Sequence, residues 1–253
     1  IGIIAGKSDK QLEVISDVTN KQKEELAEYL KKNTITVKSL DSEHSLDILI
    51  TLEKNGKTAS VHIVDNHTNI VEILKDNKVI FHKTSPIGNT EDSKKIYESL
   101  NMEDIYDFAI TADIDDVKQI LDPQIYMNSA IAEEGLRGDY GANIGSILKD
   151  SYGSDIKIRA KSKAAAGADA RMNGCELPVV INSGSGNQGL TVSLPIIEYA
   201  RELKVTEEKL YRALLISNLS AIHLKTAIGR LSAYCGAVSA GASAGAGIAY
   251  LSD

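Results

Sequence analysis

The chain has 253 residues, 43% of them hydrophobic and 25% charged, a composition that fits a soluble globular protein of one or two domains with a sizeable core. With 35 acidic against 28 basic side chains the formal charge is −7, so the field that gathers nucleic acid or anionic lipid is missing and neither partner is expected. Two cysteines make no disulfide framework and nothing at the start reads as a signal peptide, so a cytoplasmic location is expected.

Residues 1–6 form a short apolar piece beginning at Ile1, and the last apolar segment is followed only by Ser252 and Asp253. The sequence is therefore expected to be part of a longer protein. Over residues 12–30, Leu12, Ile15, Leu26 and Leu30 recur at helical spacing among charged residues. Strands follow. Leu46, Ile48, Ile50 and Leu52 alternate with Asp47, Leu49, Thr51 and Glu53, and Asn55-Gly56 is a strong hairpin turn before residues 58–64. Residues 70–74, a turn at Asp76-Asn77 and residues 79–82 predict a second hairpin. A helix packed on an antiparallel sheet of about four strands would bury these faces.

Composition changes near residue 90, which divides the chain into an α+β domain over 1–90 and a mostly helical domain over 91–253. The fold class is α+β. Helical signals begin at Asp92-Ser93, with Ile96 and Leu100, start again at Asp113, and are interrupted by Pro123. Further helices are predicted from near Leu190 to Leu203, with Pro195 tolerated in a first turn, then over 207–224 and 226–251. Residues 231–251 carry no charge and include Gly241-x-x-x-Gly245, but their Ala, Gly and Ser content is too weakly apolar for lipid. A buried central helix is the expectation.

Chemistry concentrates in Asn182-Ser183-Gly184-Ser185-Gly186-Asn187-Gln188-Gly189, where three glycines stand among hydroxyl and amide side chains just before an apolar run. Glycines let backbone N–H groups approach a ligand oxygen, the neighbours offer donors and acceptors, and a following helix would add an anion-binding end. The plainer alternative is a tight turn or close helix packing. Gly184-x-Gly186-x-x-Gly189 also fits the spacing of a dinucleotide fingerprint after the apolar residues 177–181. That reading needs a second strand ending in an acidic residue roughly 20 positions on. Glu207 and Glu208 lie there, but in a segment that reads as a helix N-cap and first turn.

Four motifs in order, His67-Thr68-Asn69, Asp169-Ala170-Arg171-Met172, the glycine-rich run continuing into Leu190-Thr191-Val192-Ser193-Leu194-Pro195, and Arg230-Leu231-Ser232-Ala233-Tyr234-Cys235, resemble the L-cysteine desulfidase and serine dehydratase-like alpha family. The resemblance runs across essentially the whole chain. It implies a lyase that eliminates the β-substituent of a small L-amino acid such as L-cysteine or L-serine. The product enamine ends as a 2-oxo acid and ammonia, with an oxygen-sensitive 4Fe–4S cluster as Lewis acid and no pyridoxal phosphate.

In such proteins three cysteine thiolates hold the cluster and leave one iron open. Cys235 matches the first ligand. The resemblance places the other two ligands downstream of this chain, and a cysteine proposed to remove the α-proton upstream of it, so the chain alone is expected to be inactive.

The same chemistry assigns Asn182, Ser183, Ser185 and Asn187 to a substrate clamp, and Arg171 to a carboxylate through its planar fork unless it pairs with Asp169. Thr68 and Asn69 would face the substrate, with His67 shuttling a proton, unless the three simply form a strand-end turn. Apart from the resemblance, Cys235 would read as a compact buried apolar group, and Cys175 as incidental. His44, His62, His82 and His223 read as surface or structural residues. A noncatalytic amino-acid-binding module and a dinucleotide-binding oxidoreductase are the alternatives. A homo-oligomer is compatible with the sequence, which does not fix the state.

Overall fold

The computed structural model describes residues 1–15, 17–84, 91–229 and 234–253, without the side chains of 11–13 and 91–94. Among them the chain forms two compact units, Ile1–Glu43 and His44–Asp253. The composition boundary expected near residue 90 and the first four residues of the Arg230 motif lie outside the described residues.

The first unit holds α1 (Gly2–Ala5), a 3-10 turn (Ser8–Glu13) and α2 (Asn20–Lys32). A capping box starts α2: Gln22 N donates to the Thr19 hydroxyl at 3.3 Å, and Thr19 N donates back to Gln22 Oε1 at 3.0 Å.

The second unit opens with a four-stranded antiparallel sheet in the order β1 (Asp47–Lys54), β2 (Lys57–Val64), β3 (Ile70–Lys75), β4 (Lys78–His82). Both predicted hairpins are present. Asn55 and Gly56 take φ of 54° and 73°, and Asp76 and Asn77 take 50° and 61°, the left-handed turns that Asn, Asp and Gly tolerate. Among the described elements of the second unit, no strand packs against a helix.

Helices make the rest: α3 (Glu91–Ser99), α4 (Met102–Thr111), α5 (Ile114–Arg137), α6 (Ile144–Tyr152), α7 (Ile156–Met172), α8 (Gly186–Leu203), α9 (Glu207–Thr226) and α10 (Ala237–Ser252). The molecule is α+β, an antiparallel sheet followed by a helical assembly. Asp113 caps α5 as expected, its carboxylate accepting from Asp115 N at 3.0 Å. Pro123 does not end that helix, which runs through it for 24 residues. The one ladder bond a proline removes is outweighed by the packing of Leu121, Ile131 and Ala132.

The central helix is α8, not the C-terminal segment. It packs against α5, α7, α9 and α10, and Leu190, Val192, Leu194, Ile196 and Ile197 are all buried. Each such side chain contributes about 1.5–3 kcal/mol on leaving water. The predicted continuous helix over 226–251 is interrupted: α9 ends at Thr226 and α10 begins at Ala237. Only one face of α10 is buried, through Ala240, Ser243, Ala244, Gly247 and Leu251, while Gly241 and Gly245 face open space.

Candidate functional site at the head of α8

The glycine-rich run begins as a tight turn. Asn182 N donates to Ser185 O at 3.1 Å, and Ser185 N donates to Asn182 O at 3.0 Å. Between them Ser183 and Gly184 have φ of 49° and 80°, both in the left-handed region that a type I′ turn needs. Glycine adopts this freely. At Ser183 the hydroxyl helps to hold it, donating to Asn182 Oδ1 at 2.9 Å.

Ser185 then caps α8, accepting from Gln188 N at 3.4 Å, so the helix begins at Gly186 and not near Leu190. Pro195 therefore lies inside the helix. The glycines are needed for approach. A Cβ on Gly189 would stand 2.0 Å from Val180 O and 2.9 Å from Ile181 Cα, so α8 presses directly on the chain leading into the turn.

That chain is irregular, apart from a bridge between Asn182 and Ser185, and Thr206 caps α9 with its hydroxyl accepting from Lys209 N at 3.2 Å. Among the described residues no strand therefore directly precedes or follows α8. The βαβ unit of a dinucleotide site is absent, and that alternative is overturned.

Beneath the turn lies a buried amide network that the sequence reading missed. Asn182 Nδ2 donates to Asn218 O at 3.1 Å and to Asn218 Oδ1 at 2.9 Å. Asn218 and Gln124 exchange bonds of 2.8 and 2.9 Å. Asn128, fully buried, donates to Val180 O, Gly189 O and Ser193 Oγ at 3.3, 3.2 and 3.0 Å and accepts from Val180 N at 2.8 Å. These bonds tie α5, α8 and α9 to the bend, and they occupy the Asn182 amide.

Arg171, at the end of α7, lies across the head of α8. Its Nε stands 2.1 Å from where a Gly186 Cβ would be, and its Nη1 donates to Asn187 Oδ1 at 3.2 Å. Asp169 does not pair with it. The Asp169 carboxylate instead accepts from Ile144 N at 2.7 Å and so caps α6 from a distance. The half-buried guanidinium, Ser183, Ser185 and Asn187 thus share one end of α8.

The Cys235 segment meets this end. Gln188, 4% exposed, packs so tightly against Gly236 that a Cβ there would stand 2.1 Å from Gln188 Oε1. That oxygen is buried with no hydrogen-bond partner. Gly236 is also the N-cap of α10, which has no side-chain cap. Cys235 itself is exposed. On its other side the buried Lys225 ammonium donates to Tyr234 O at 3.1 Å.

The remaining expected residues belong to the β2–β3 connection. His67 and Thr68 are exposed, and Asn69 serves the turn, donating through Nδ2 to Val64 O at 3.0 Å. Beside them Asp65, at φ 60°, pairs with His44 at 2.9 Å and leaves a buried oxygen unpartnered. These groups are assembled by the sheet, whereas the clamp residues are assembled by helices. His62 pairs with Asp47 at 2.7 Å, a structural role as expected. Cys175 is half-buried beside Tyr140. That thiol, and next Glu134, hold the Tyr140 hydroxyl up to about 12.

The 4Fe–4S cluster that the resemblance implies would need three thiolates, one fewer than the usual four. Among the described residues no three His, Cys, Asp or Glu side chains converge, and Cys235 stands at the site as one thiol. These residues alone do not fit the cluster. No helix among them is long and apolar enough to cross a membrane.

Comparison with known proteins adds a family. A UPF0597 protein of Desulfitobacterium hafniense is 54% identical over 250 residues, covering 99% of this chain and 58% of its own length. One of Lachnoclostridium phytofermentans is 52% identical over 251 residues, covering 99% and 60%. One of Treponema denticola is 46% identical over 256 residues, covering 99% and 59%. The chain thus spans about three-fifths of the length of the curated relatives it matches. No solved structure matches it. The serine dehydratase alpha chain family matches residues 9–253, and the chain belongs to that family.

Proposed function

We propose that this chain serves a lyase that removes the β-substituent of a small L-amino acid, L-cysteine or L-serine. The observation that supports this most is the contact between Gln188 in the glycine-rich bend and Gly236 beside Cys235, which unites a polar clamp and a thiol at one place. In the reaction the α-proton leaves, the bond from Cβ to sulfur or oxygen breaks, and the electron pair forms the Cα=Cβ bond. The enamine takes up a proton at Cβ and hydrolyses to the 2-oxo acid and ammonia. Sulfide is the other product from cysteine, and water from serine.

The residues present bind and orient. Asn182 holds the turn that presents Ser183, Ser185 and Asn187, and Arg171 braces the head of α8 beside them. His67, with Thr68 and Asn69, is the proposed proton carrier on the sheet side. Cys235 is proposed as one ligand of a 4Fe–4S cluster whose other ligands lie outside the described residues. The proposed setting is the cytoplasm.

The test is anaerobic incubation of the full-length protein, reconstituted with iron and sulfide, with L-cysteine and L-serine. Release of 2-oxo acid with sulfide or ammonia is expected, and release from neither substrate overturns the reading. A noncatalytic amino-acid-binding module is the second reading, favoured because Cys235 belongs to no group of three His, Cys, Asp or Glu side chains among the described residues. Undiminished amino-acid binding by iron-free protein that never turns over would select it.

A further inference from the structure

We propose that the carboxylate of the bound amino acid is received by Lys225 and the N-terminus of α10, with Gln188 Oε1 accepting from its ammonium group, and that Arg171 braces α8 without binding the carboxylate. This rests on the amino-acid reading above and names its subsite.

Three observations converge on one short segment. Lys225 is 4% exposed, has no ion-pair partner among the described residues, and spends its ammonium on a single backbone carbonyl, that of Tyr234. A cation taken out of water is costly unless an anion accompanies it. On the far side of Cys235, Gln188 is likewise 4% exposed, and its Oε1 is aimed at Gly236 with nothing to accept from. A buried acceptor without a donor is rare, and an ammonium group would satisfy it.

Between them α10 begins without a side-chain cap, leaving N–H groups of its first turn for an anion. Tyr234 to Gly236 spans less than about 8 Å between Cα atoms, the reach of two peptide units and the scale of an α-amino acid's two charged ends. Tyr234 is 78% exposed and Cys235 is exposed, so the segment covering Lys225 borders solvent and can admit a ligand.

Arg171 is placed differently. Its guanidinium already rests on Gly186 and donates to Asn187, and it is half-exposed, so solvent screens its charge.

The experiment is calorimetric binding of L-alanine and L-alaninamide to the full-length protein, since neither ligand has a leaving group and both survive any turnover. Wild type is expected to prefer L-alanine. K225M should weaken L-alanine about 10- to 100-fold, the range for a lost charge-assisted bond, and leave L-alaninamide unchanged, so the preference collapses. K225Q, which keeps a polar donor but not the charge, should lose the same preference, keeping the test decisive should K225M fail to fold. R171Q should retain it. If both Lys225 variants fold and keep the preference, or R171Q abolishes it, the Lys225 assignment is overturned alone. If wild type binds none of L-alanine, L-serine and L-cysteine, the amino-acid reading falls, and the subsite with it.

Discussion

Beneath the bend at the head of α8, Asn182, Asn128, Asn218 and Gln124 direct their amides to other protein groups, whereas against the adjoining Tyr234–Gly236 segment the buried Gln188 oxygen has no partner and the buried Lys225 ammonium has one carbonyl. The two regions touch through Gln188 and Gly236, yet they use polarity in opposite ways. A closed network fixes geometry, because any lost partner strands another buried group. An open one leaves interaction energy for something that arrives later. The bend is thus the frame of the site, and the cysteine segment is where its unspent polar capacity lies.

The strongest way to break the frame is Gly189→Ala. The added methyl would meet backbone on the chain leading into the turn, Val180 O at 2.0 Å, and no side-chain rotation relieves that. A loss of about 3 kcal/mol or more is expected, at the upper end for overpacking, read from chemical denaturation. An unchanged midpoint would mean that α8 does not press on the turn.

Asn128→Leu is expected to cost somewhat less, about 2–3 kcal/mol, because part-buried Val180 N loses its acceptor and the buried Ser193 hydroxyl a donor. The double variant of Asn128 and Asn182 separates a network from independent bonds. Sub-additive losses are expected, since both side chains hold the same bend, and strict additivity would break the description of the frame as one unit.

How much of this was legible follows from which residues carry each feature. The two hairpins were read because Asn55-Gly56 and Asp76-Asn77 declare left-handed turns locally, and strand alternation needs no distant partner. The bend before α8 was read because its glycines and hydroxyls are contiguous.

Its supports were not. Gln124 and Asn128 are spaced one helical turn apart beside apolar residues, where a polar side chain in sequence suggests a surface position, and their partners lie on other helices. Lys225 looks like an ordinary basic residue near a helix C-terminus, where it complements the helix dipole, and only folding shows it buried. The start of α8 was placed late because glycine is a poor helix former, which hid the cap that Ser185 provides. The small residues of 231–251 were read as buried all round, whereas in α10 the neighbours press on one face.

Gly236→Ala sharpens the comparison from the other side. Its methyl would meet Gln188 Oε1 at 2.1 Å and Cδ at 2.3 Å, but these are the far end of a flexible side chain that can move aside. A cost of about 1–2 kcal/mol is expected, smaller than at Gly189, with amino-acid affinity falling more than stability. Equal losses at the two glycines would erase the distinction between a rigid frame and an adaptable site.

Gly241→Ala should have the smallest effect, and the opposite sign. No atom lies within 4 Å of the position its Cβ would take, and it stands inside α10 on the face that other helices leave open. Alanine loses less backbone freedom than glycine when a helix forms, so a gain of about 0.5–1 kcal/mol is expected in denaturation of this chain. Measuring the same substitution in the full-length protein then reports on that face. A similar gain there means that the face stays open. A loss means that another surface closes against α10 as tightly as α8 closes against Gly236, and that the small residues of this helix serve two contacts.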